Sequence, residues 1–440
     1  MAEKNKRREQ ELTEEQKTEK QEEKGGRASG RSFEFAKGVL FGVLLSGICV
    51  MTVFLVLNGT IGRGGSDGEE SGASVLTSQE TQRKMAQIQE RIEDSFLYEV
   101  DGEELSAYLF KGVAVGLDDP YANYYTQEEL QSIQESSQGA YHGIGITLLK
   151  DVDSGQLRVA GVYEGSPASE AGLQADDCLL KVGETDVTDM DLSSVVALIK
   201  DQEEMELTVL RGQEQLTLTV QAADVEIPTV SGQMLQGDIG YLKISEFASV
   251  TVEQFRETLD QLKDDGMKKL VADVRGNPGG NLDSVCDILD ELLPEGLIVY
   301  TEDKAGSREE YTSDERQRFD GPVAVLVNGN SASAAEIFAG AIQDYELGPV
   351  VGTTTYGKGV VQRTYLLDDG SALKLTTETY FTPNGREIEG TGIEPDVTVE
   401  TGESEDGQDS AQTAETVDMG TVDLETDEQL RTAVELLEDM

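Results

Sequence analysis

Histidine is almost absent from this chain, which has a single copy, His142, among 440 residues. A zinc-peptidase motif such as H-E-x-x-H needs two histidines on one helix face, so that class of metal site is excluded. A Ser-His-Asp triad needs a histidine beside its nucleophile, and His142 lies far in sequence from the candidate serines described below. We therefore expect chemistry that uses no histidine, no metal ion and no cofactor.

Basic residues and cysteines are also scarce. The chain has 35 Lys and Arg against 86 Asp and Glu, a net charge of −51. Without a basic face to neutralise phosphates, nucleic acid is excluded as a partner. The three cysteines, Cys49, Cys178 and Cys286, lie in separate segments and cannot form a disulfide framework, so we expect free thiols.

One long stretch lacks charge altogether. Residues 38–57 are uncharged and apolar over the roughly 20 residues that one membrane crossing needs. The charged tail before them (residues 1–37) is too long for a cleaved signal peptide, which favours a signal anchor. Four basic residues precede the run closely and one follows it: Lys24, Arg27, Arg31, Lys37 and Arg63. The positive-inside rule then predicts a single-pass cell-membrane protein with a cytoplasmic N-terminus and an extracytoplasmic remainder, joined by a flexible linker at 58–75.

Apolar residues recur at helical spacing in two further segments. Residues 76–138 predict two or three helices with a core-packing or dimerising role, broken at Asp118-Asp-Pro-Tyr121. Residues 401–426 are acidic and rich in Ser and Thr, which predicts a disordered tail. Residues 427–440 form an amphipathic pattern, and this last helix is expected to dock on the core or on a second subunit of a homodimer.

Residues 139–225 have the order of elements of a peptide-binding module. A Gly-Ile-Gly loop precedes a strand, a Gly-Ser-Pro-Ala turn follows, and then come a short helix, a strand, a helix and two strands. This order resembles a PDZ domain. The resemblance implies that the N–H groups of Gly143, Ile144 and Gly145 bind a peptide C-terminus, while the alternative is an ordinary α+β domain with tight turns. His142, beside the loop, is expected to be a surface histidine.

Residues 226–400 alternate strand, turn and helix. Apolar strands end at Val274 and Val327, and each is followed by a polar or glycine-rich turn and an amphipathic helix. This pattern predicts a layered α/β sheet whose site lies at the carboxyl ends of the strands.

Two serines and one lysine in this segment can supply nucleophilic chemistry. Ser331 and Ser333 open a helical pattern, and Lys358 lies on a turn between two glycines and two apolar strands. A serine becomes nucleophilic beside a base, and a lysine can be that base if desolvation lowers its pKa. Ser333 and Glu336 also fit a capping box, in which the hydroxyl has only a structural role, and either serine could cap the helix.

The turns after Val274 and Val327 also offer backbone N–H groups that could stabilise an oxyanion. Gly279 and Gly280 carry no Cβ, so their N–H groups can approach a substrate closely. Ala334 is at a helix N-terminus, where the free N–H groups and the dipole favour negative charge. We therefore predict Gly279, Gly280 and Ala334 as oxyanion donors.

Several motifs together resemble the C-terminal processing (tail-specific) peptidases, serine proteases that carry a PDZ domain. The resemblance implies a ClpP/crotonase-like protease core within an α/β fold, which is α+β overall, preceded by the helical region and one transmembrane helix. It covers the helical lead-in and the core in the family's order. The matching stretches are Leu117-Asp-Asp-Pro-Tyr121, Gly240-Tyr-Leu-Lys-Ile, Asp273-Val-Arg-Gly-Asn-Pro-Gly-Gly280, Ser331-Ala-Ser-Ala-Ala-Glu336, Gly357-Lys-Gly-Val-Val-Gln362, Tyr380-Phe-Thr-Pro-Asn-Gly385 and Gly392-Ile-Glu-Pro-Asp396.

The resemblance assigns roles residue by residue. Ser333 matches the family's nucleophile, Lys358 its general base, and Gln362 a supporting residue that orients the amine. Ala335 departs from the family's usual third serine. The implied function is a membrane-anchored serine endopeptidase that captures protein C-termini and cleaves through an acyl-enzyme. The alternatives are an inactive PDZ adaptor and a trypsin-type protease, and the second of these lacks a suitably placed histidine.

Overall fold

The computed structural model describes residues 72–151, 155–200, 202–400 and 424–440. The predicted charged tail, the membrane helix at 38–57 and most of the acidic tail lie outside these residues. Within the described part of the chain, no helix is long and apolar enough to cross a membrane. The chain divides into two units, Met1–Pro120 and Tyr121–Met440.

The first unit, in its described part, is helical. A 3₁₀ helix over Gly72–Thr77 replaces the last residues of the predicted linker, and α1 (Gln79–Ser95) and α2 (Gly102–Val115) follow. Ser78 and Asp101 cap these two helices with their side-chain oxygens. Helix α1 buries no residue and α2 buries only Ala114, so the core-packing or dimerising role expected for residues 76–138 stays a prediction.

The second unit begins with a short lead-in and then the PDZ-like module. The lead-in is β1 (Asn123–Tyr125) and α3 (Gln127–Gln138), and α3 starts with a capping box between Thr126 and Glu129. The elements of the module are β2 (Ala140–Gly143), β3 (Ile146–Lys150), β4 (Leu157–Val162), α4 (Pro167–Glu170), β5 (Cys178–Val182), β6 (Thr185–Asp186), α5 (Leu192–Lys200), β7 (Glu204–Arg211), β8 (Glu214–Gln221) and β9 (Ala223–Glu226).

The sheet of this module has β3 and β8 as its edge strands. Its order is β3-β4-β5-β7-β8, with β6 paired to β5, so β3 has a strand on one side only. The first and last strands, β2 and β9, pair with each other in antiparallel register from Ala140↔Glu226 to Gly143↔Ala223. This two-stranded ladder is the connection between the module and the rest of the second unit.

The remaining elements form two sheets and four helices in the described residues. They are β10 (Val230–Met234), β11 (Ile239–Ile244), α6 (Thr251–Asp264), β12 (Lys269–Asp273), α7 (Leu282–Asp290), β13 (Gly296–Asp303), β14 (Arg308–Ser313), β15 (Val323–Val327), α8 (Ala334–Asp344), β16 (Val350–Gly352), β17 (Val360–Leu366), β18 (Ala372–Phe381), β19 (Val397–Thr398) and α9 (Glu428–Glu438).

The central six-stranded sheet is covered on both faces. Its order is β10-β11-β12-β15-β16-β19, and the five strands after β10 run parallel. Leu270, Ala272 and Val274 face the core formed with α6, α7 and α8, whereas Val271 faces the core formed with α9. This period-2 alternation buries both faces, as expected for a parallel sheet under helices. The predicted layered α/β core is therefore confirmed.

Helix α9 docks on the core, as its amphipathic pattern predicted. Leu430, Ala433, Val434 and Leu437 are buried against the central sheet. The N-terminus of α9 is held by Arg275, whose guanidinium donates to Asp427 and to the Gln429 side chain. Among the cysteines, Cys286 is buried and Cys178 is half-buried, and neither is in a disulfide.

Candidate active site

Three turns converge at one edge of the central sheet. They follow β12, β15 and β16, and they carry Gly279 and Gly280, Ser333, and Lys358, respectively. Because neighbouring parallel strands present their carboxyl ends at the same edge, the turns lie side by side. The Ala332 N–H donates to the Asn277 carbonyl at 2.9 Å, and the Tyr356 N–H donates to the Ser331 carbonyl at 3.0 Å. These bonds join each turn to the next.

The two candidate serines differ in what their hydroxyl groups do. Ser331 is fully buried, donates its hydroxyl to the Val274 carbonyl at 2.8 Å and accepts the Asn328 N–H at 3.0 Å. Its oxygen therefore holds the turn together. Ser333 is half-buried, and its hydroxyl forms no well-aligned capping bond with the first turn of α8.

The backbone of Ser333 adopts a conformation that L-residues avoid. Its φ is 54° and its ψ is −116°. Such a conformation costs on the order of 1–3 kcal/mol and persists only where the surroundings enforce it, most often at functional sites. The strain places the Ser333 side chain at the sharp junction between the turn and α8.

The carboxylate of Glu336 joins the serine turn to the lysine turn. It is fully buried, and its Oε2 accepts the N–H groups of Ser333 at 2.8 Å and Lys358 at 2.9 Å. Its Oε1 accepts the Thr355 hydroxyl at 2.6 Å and the Gly357 N–H at 2.7 Å. Burial raises the pKa of Glu336 above its ordinary value, and these four donors oppose that shift.

A buried tyrosine binds the same two turns from the other side. The Tyr380 hydroxyl donates to the Ser333 carbonyl at 3.1 Å and also contacts the Lys358 carbonyl. Burial raises the pKa of Tyr380 well above its ordinary value, so the hydroxyl keeps its proton. Ser333 and Lys358 are thus held at their N–H groups by Glu336 and at their carbonyls by Tyr380.

The side chain of Lys358 is half-buried beside an aromatic ring. Its Nζ lies 4.6 Å from the centre of the Tyr121 ring. An aromatic face attracts an ammonium group and so fixes its position. Burial first, and then the nearby Tyr356, Glu389 and Glu336, raise the pKa of Tyr121 to about 12, which keeps that ring neutral at physiological pH.

The three predicted oxyanion donors are not equivalent. The Gly279 N–H donates to the Asn277 side chain at 2.8 Å, so it is already engaged. Gly279 instead serves close packing, because a Cβ there would lie 2.8 Å from the Ala332 oxygen and 2.8 Å from the Ser333 Cβ. Within the described residues, the N–H groups of exposed Gly280 and of Ala334, at the start of α8, have no hydrogen-bond acceptor.

Gln362 lies on β17 with its side chain half-buried. Its amide nitrogen donates to the Val360 carbonyl and to the Thr376 hydroxyl, each at 3.3 Å. The role predicted for it toward Lys358 stays a prediction. Ala335, where the resemblance expects a third serine, is fully buried in the first turn of α8.

The predicted peptide-binding loop lies at the start of the open edge strand β3. The Ile144 carbonyl accepts the Ala168 N–H at 2.9 Å, and the Gly145 carbonyl accepts the Tyr163 N–H at 3.0 Å. A Cβ on Gly145 would lie 2.2 Å from the Ser166 Cβ, and its φ is 78°. Glycine is therefore required there, and the loop is held by the Gly-Ser-Pro-Ala turn that the sequence indicated.

The side chain of Tyr141 covers this loop. Its ring lies against Gly143, where a Cβ would be 2.6 Å from the Tyr141 Cε2. Burial and the neighbouring Tyr163 raise the pKa of Tyr141 to about 12, while the N–H groups of Ile146 and Gly145 interact with its oxygen and oppose that rise. Of these two N–H groups, that of Gly145 belongs to the predicted carboxylate loop and that of Ile146 begins β3.

His142 is on the β2–β9 ladder and not at the sheet edge where the three turns meet. Its ring nitrogens contact Asp224 at 3.0 Å and Glu203 at 3.3 Å, all three side chains being exposed. Hydrogen bonds to Asp224 and then to Glu203 raise its pKa. Its position is that of the surface histidine predicted from the sequence.

Three residues of the site received no catalytic role from the sequence. Tyr121 and Tyr380 lie in motifs that matched the family, and Glu336 was interpreted as half of a capping box. The bond from the Ser333 N–H to Glu336 is the part of the capping box that the sequence predicted. The same carboxylate also binds the lysine turn, 19 to 22 residues away along the chain. A signal for this was available, since a carboxylate in the first turns of a helix whose neighbouring residues are apolar must be buried with hydrogen-bond partners. In the part of the chain that the structure describes, no group of three His, Cys, Asp or Glu side chains is arranged to hold a metal ion.

Comparisons with known proteins agree with this arrangement. Residues 238–399 match peptidase family S41, and residues 158–211 match a PDZ domain. A probable CtpA-like serine protease of Staphylococcus aureus (strain COL) is 31% identical over 376 residues, which are 84% of this chain and 73% of that protein. The carboxy-terminal processing protease CtpA of Bacillus subtilis (strain 168) is 30% identical over 366 residues, 82% of this chain and 77% of that protein.

Among solved structures, the photosystem II D1 C-terminal processing protease is 27% identical, with a TM-score of 0.43 over 72% of this chain and 86% of that one. The extent of the match to the curated relatives, across both the PDZ module and the core, is what establishes the family. The chain belongs to peptidase family S41 and is a serine peptidase of the carboxy-terminal processing type with a PDZ domain.

Proposed function

We propose that this protein is a membrane-anchored endopeptidase that uses Ser333 as nucleophile and Lys358 as general base. Neutral Lys358 accepts the Ser333 hydroxyl proton while the serine oxygen attacks a peptide carbonyl. When the tetrahedral intermediate collapses, the protonated lysine returns that proton to the leaving amine. Water then attacks the acyl-enzyme and gives a proton to Lys358. As the bond between the acyl carbon and the serine oxygen breaks, Lys358 returns that proton to Ser333 and the acid product leaves.

The single observation that carries this proposal is the shared Glu336 carboxylate. It accepts the N–H groups of Ser333 at 2.8 Å and Lys358 at 2.9 Å on the same oxygen. Serine and lysine are therefore fixed relative to each other through their backbones, before any substrate binds. A nucleophile and a base need such preorganisation more than they need a mutual bond in the free enzyme.

The N–H groups of Gly280 and Ala334 are the oxyanion donors in this mechanism. Neither N–H group has an acceptor within the described residues. Ala334 directly follows Ser333, and Gly280 directly follows Gly279, which packs against Ser333. Removal of one such donor in other proteases costs about 3–4 kcal/mol in transition-state stabilisation. The Gly279 N–H is bonded to Asn277, so Gly279 is not a donor in this mechanism. Its lack of a Cβ allows the turn to pack closely against Ser333.

The PDZ domain would capture the substrate by its C-terminus. The edge of β3 is open to an added strand, and the loop from Gly143 to Gly145 precedes that strand. An extended peptide would pair with β3 while its carboxylate takes N–H groups of the loop. Capture at the C-terminus would deliver a more distant peptide bond to Ser333, so the substrates would be proteins with accessible C-terminal tails.

The test compares full-length wild-type protein with Ser333→Ala and Lys358→Ala variants on casein and on a quenched fluorescent peptide. Both variants should lose proteolysis and keep peptide binding, and only proteins with Ser333 should react with a fluorophosphonate label. Lys304→Ala, which changes an exposed lysine on the turn between β13 and β14, is the matched control and should keep wild-type activity. Full activity in Ser333→Ala or Lys358→Ala would show that the assignment is wrong.

The second candidate function is a PDZ adaptor with an inactive core. Gln362 favours it to a small extent, since its amide is bonded to Val360 and Thr376 in place of the lysine. The same fluorophosphonate experiment decides between the two functions. An adaptor would bind C-terminal peptides and remain unlabelled.

The membrane anchor and the dimer remain proposals as well. The uncharged stretch at 38–57 supports a single crossing with the catalytic part outside, which protease accessibility of intact cells would test. A homodimer would use α1, α2 and the segment between them, where large apolar side chains are exposed, among them Phe96, Leu97, Tyr108 and Val115. Analytical ultracentrifugation of a soluble protein without residues 1–58, with and without charged substitutions at Leu97 and Tyr108, would test it.

A further inference from the structure

Asn281 occupies a helix cap but its side chain does not cap the helix. It is the N-cap residue of α7, where asparagine ordinarily accepts a backbone N–H of the first turn, and it makes no such bond. Its amide nitrogen donates instead to the Ser137 carbonyl at 2.9 Å and to the Ser249 hydroxyl at 3.3 Å. Its side-chain oxygen accepts the Ser137 hydroxyl at 2.7 Å. The side chain is thus committed to residues far away in sequence.

The partner, Ser137, lies in the last turn of α3, which is itself fixed to the β11–α6 loop. The Ser137 carbonyl also accepts the Ser249 N–H at 3.1 Å, and the Gln138 carbonyl accepts the Val250 N–H at 3.2 Å. A Cβ on Gly139, which ends α3, would lie 2.6 Å from the Val250 Cγ2. The end of α3 therefore has little freedom to move against this loop.

The residue before Asn281 is Gly280, one of the two N–H groups with no acceptor in the described residues. The Phe247 N–H donates to the Gly279 carbonyl at 2.8 Å, and the Asn281 N–H donates to the Phe247 carbonyl at 2.7 Å. A Cβ on Gly280 would lie 2.3 Å from the Phe247 oxygen. The direction of the Gly280 N–H thus depends on how the Phe247 loop and Asn281 are held on either side of it.

We propose that Asn281 and Ser137 are positioning residues for the Gly280 oxyanion donor, an inference that rests on the proposed function. The side-chain bonds between Asn281 and Ser137 fix the backbone just after Gly280. The backbone bonds of Phe247 to Gly279 and Asn281 fix it on both sides of Gly280. Neither side chain touches the substrate. Because α3 continues through Gly139 into β2, the first strand of the ladder to the PDZ domain, the donor is also tied to the point where that domain joins the core.

The test measures steady-state kinetics of full-length protein carrying Asn281→Ala, Ser137→Ala or both, on a quenched fluorescent peptide. A typical hydrogen bond contributes about 1 kcal/mol, so each single variant should lower kcat about 5-fold while KM stays within about twofold. The double variant should lose no more than Asn281→Ala alone, because the Ser137 hydroxyl acts through its bond to Asn281. Binding of a peptide aldehyde, which adds the Ser333 hydroxyl across its carbonyl to form a tetrahedral adduct, should weaken by the same factor.

Matched variants separate positioning from folding. Ser136→Ala changes the preceding exposed serine of α3, which forms no side-chain bond in the described residues, and should leave kcat unchanged. Ser137→Thr keeps the hydroxyl and should restore most of the activity lost in Ser137→Ala. The melting temperature should be similar in all variants, since Ser137 is exposed and Asn281 half-buried.

The proposal is overturned if Asn281→Ala has wild-type kcat and aldehyde affinity, if the loss is in KM alone, or if the two single losses multiply in the double variant. Ser333→Ala, run in parallel, keeps this result apart from the proposed function. A Ser333→Ala protein as active as wild type would mean that the mechanism itself is wrong. An active wild type with an unaffected Asn281→Ala variant overturns only the positioning role.

Discussion

The backbone N–H groups of Ser333 and Lys358 donate to the same oxygen atom. That atom is Oε2 of Glu336, at 2.8 Å and 2.9 Å, respectively. The carboxylate is fully buried at the start of α8, and Tyr380 bonds the carbonyls of the same two residues. The relative position of Ser333 and Lys358, the proposed nucleophile and base, is therefore set by two other side chains through the main chain.

Glu336→Gln should lower kcat by about 100-fold while leaving the protein folded. In a glutamine, one of the two carboxylate oxygens is replaced by an NH₂ group, which cannot accept the two hydrogen bonds made there. The serine turn and the lysine turn would then no longer be joined through this side chain. Hydrogen bonds to a charged group are worth about 1.5–3 kcal/mol each, and about 2.7 kcal/mol corresponds to 100-fold. The measurement is kcat on a peptide with the melting temperature alongside. Glu387→Gln, at an exposed position, is the control, and comparable kinetics of the two variants would contradict the role of Glu336.

The pH dependence of stability should carry a signature of Glu336. Burial raises its pKa in the folded protein above the ordinary 4.5, so the folded state binds its proton more tightly than the unfolded state does. Its contribution to the free energy of unfolding is therefore complete below about pH 4.5 and is lost as pH rises through the folded pKa. Activity should change in the opposite direction, because only the ionised carboxylate can accept four donors.

The measurement for this prediction is the difference in free energy of unfolding between wild type and Glu336→Gln across this pH range. Taking the difference cancels the other carboxylates of this acidic chain. The difference should fall as pH rises. A flat difference, or one that rises with pH, would mean that the four hydrogen bonds outweigh burial and that the pKa is not raised.

Gly279→Ala should damage the site even though the N–H of Gly279 is not a free donor. Its φ is 105°, and a Cβ would lie 2.8 Å from both the Ala332 oxygen and the Ser333 Cβ. We expect a loss of about 1–3 kcal/mol in stability and a fall of at least about 10-fold in kcat, since Ser333 must move. Gly276→Ala is the control on the same turn: its φ is 73° and its Cβ would meet nothing within 4 Å. Gly276→Ala should lower the stability through backbone strain but leave kcat unchanged.

The sequence was sufficient to predict the layered core and the sheet edge at which the candidate site residues meet. Strand, turn and helix alternate with clear periodicity, and the helices predicted after the turns that follow Val274 and Val327 are α7 and α8. The rule that parallel strands present functional groups at their carboxyl ends then brought the turns of Gly279, Ser333 and Lys358 together. These are local patterns, and local patterns are what a single sequence records well.

What the sequence could not predict are contacts between segments distant along the chain. The bond between Asn281 and Ser137 spans 144 residues, and no spacing rule connects the two. Glu336 fitted a capping box, and only the fold shows that Thr355, Gly357 and Lys358 reach the same carboxylate. Gly279 was predicted as a donor because glycine permits close approach, but the direction of its N–H is decided by Asn277.

Tyr141→Phe should strengthen the binding of C-terminal peptides to the PDZ domain. The N–H groups of Gly145 and Ile146 interact with the Tyr141 oxygen, and a peptide carboxylate bound at the Gly143–Gly145 loop would need the first of these. Phenylalanine keeps the ring packed on Gly143 and removes the competing oxygen. A gain of about 1 kcal/mol, or roughly 5-fold in Kd, is expected from the freed donors.

Fluorescence anisotropy in a Ser333→Ala background, which prevents cleavage, is the appropriate measurement of this affinity. The same peptide with an amidated C-terminus is the control, because it lacks the carboxylate and should bind wild type and Tyr141→Phe alike. Weaker binding of the free-acid peptide to Tyr141→Phe would contradict competition by the Tyr141 oxygen. It would mean that the Tyr141 hydroxyl donates a hydrogen bond to the peptide carboxylate. Either result locates the peptide carboxylate relative to Tyr141, because an oxygen that competes for N–H groups and an oxygen that donates to the carboxylate change the affinity in opposite directions.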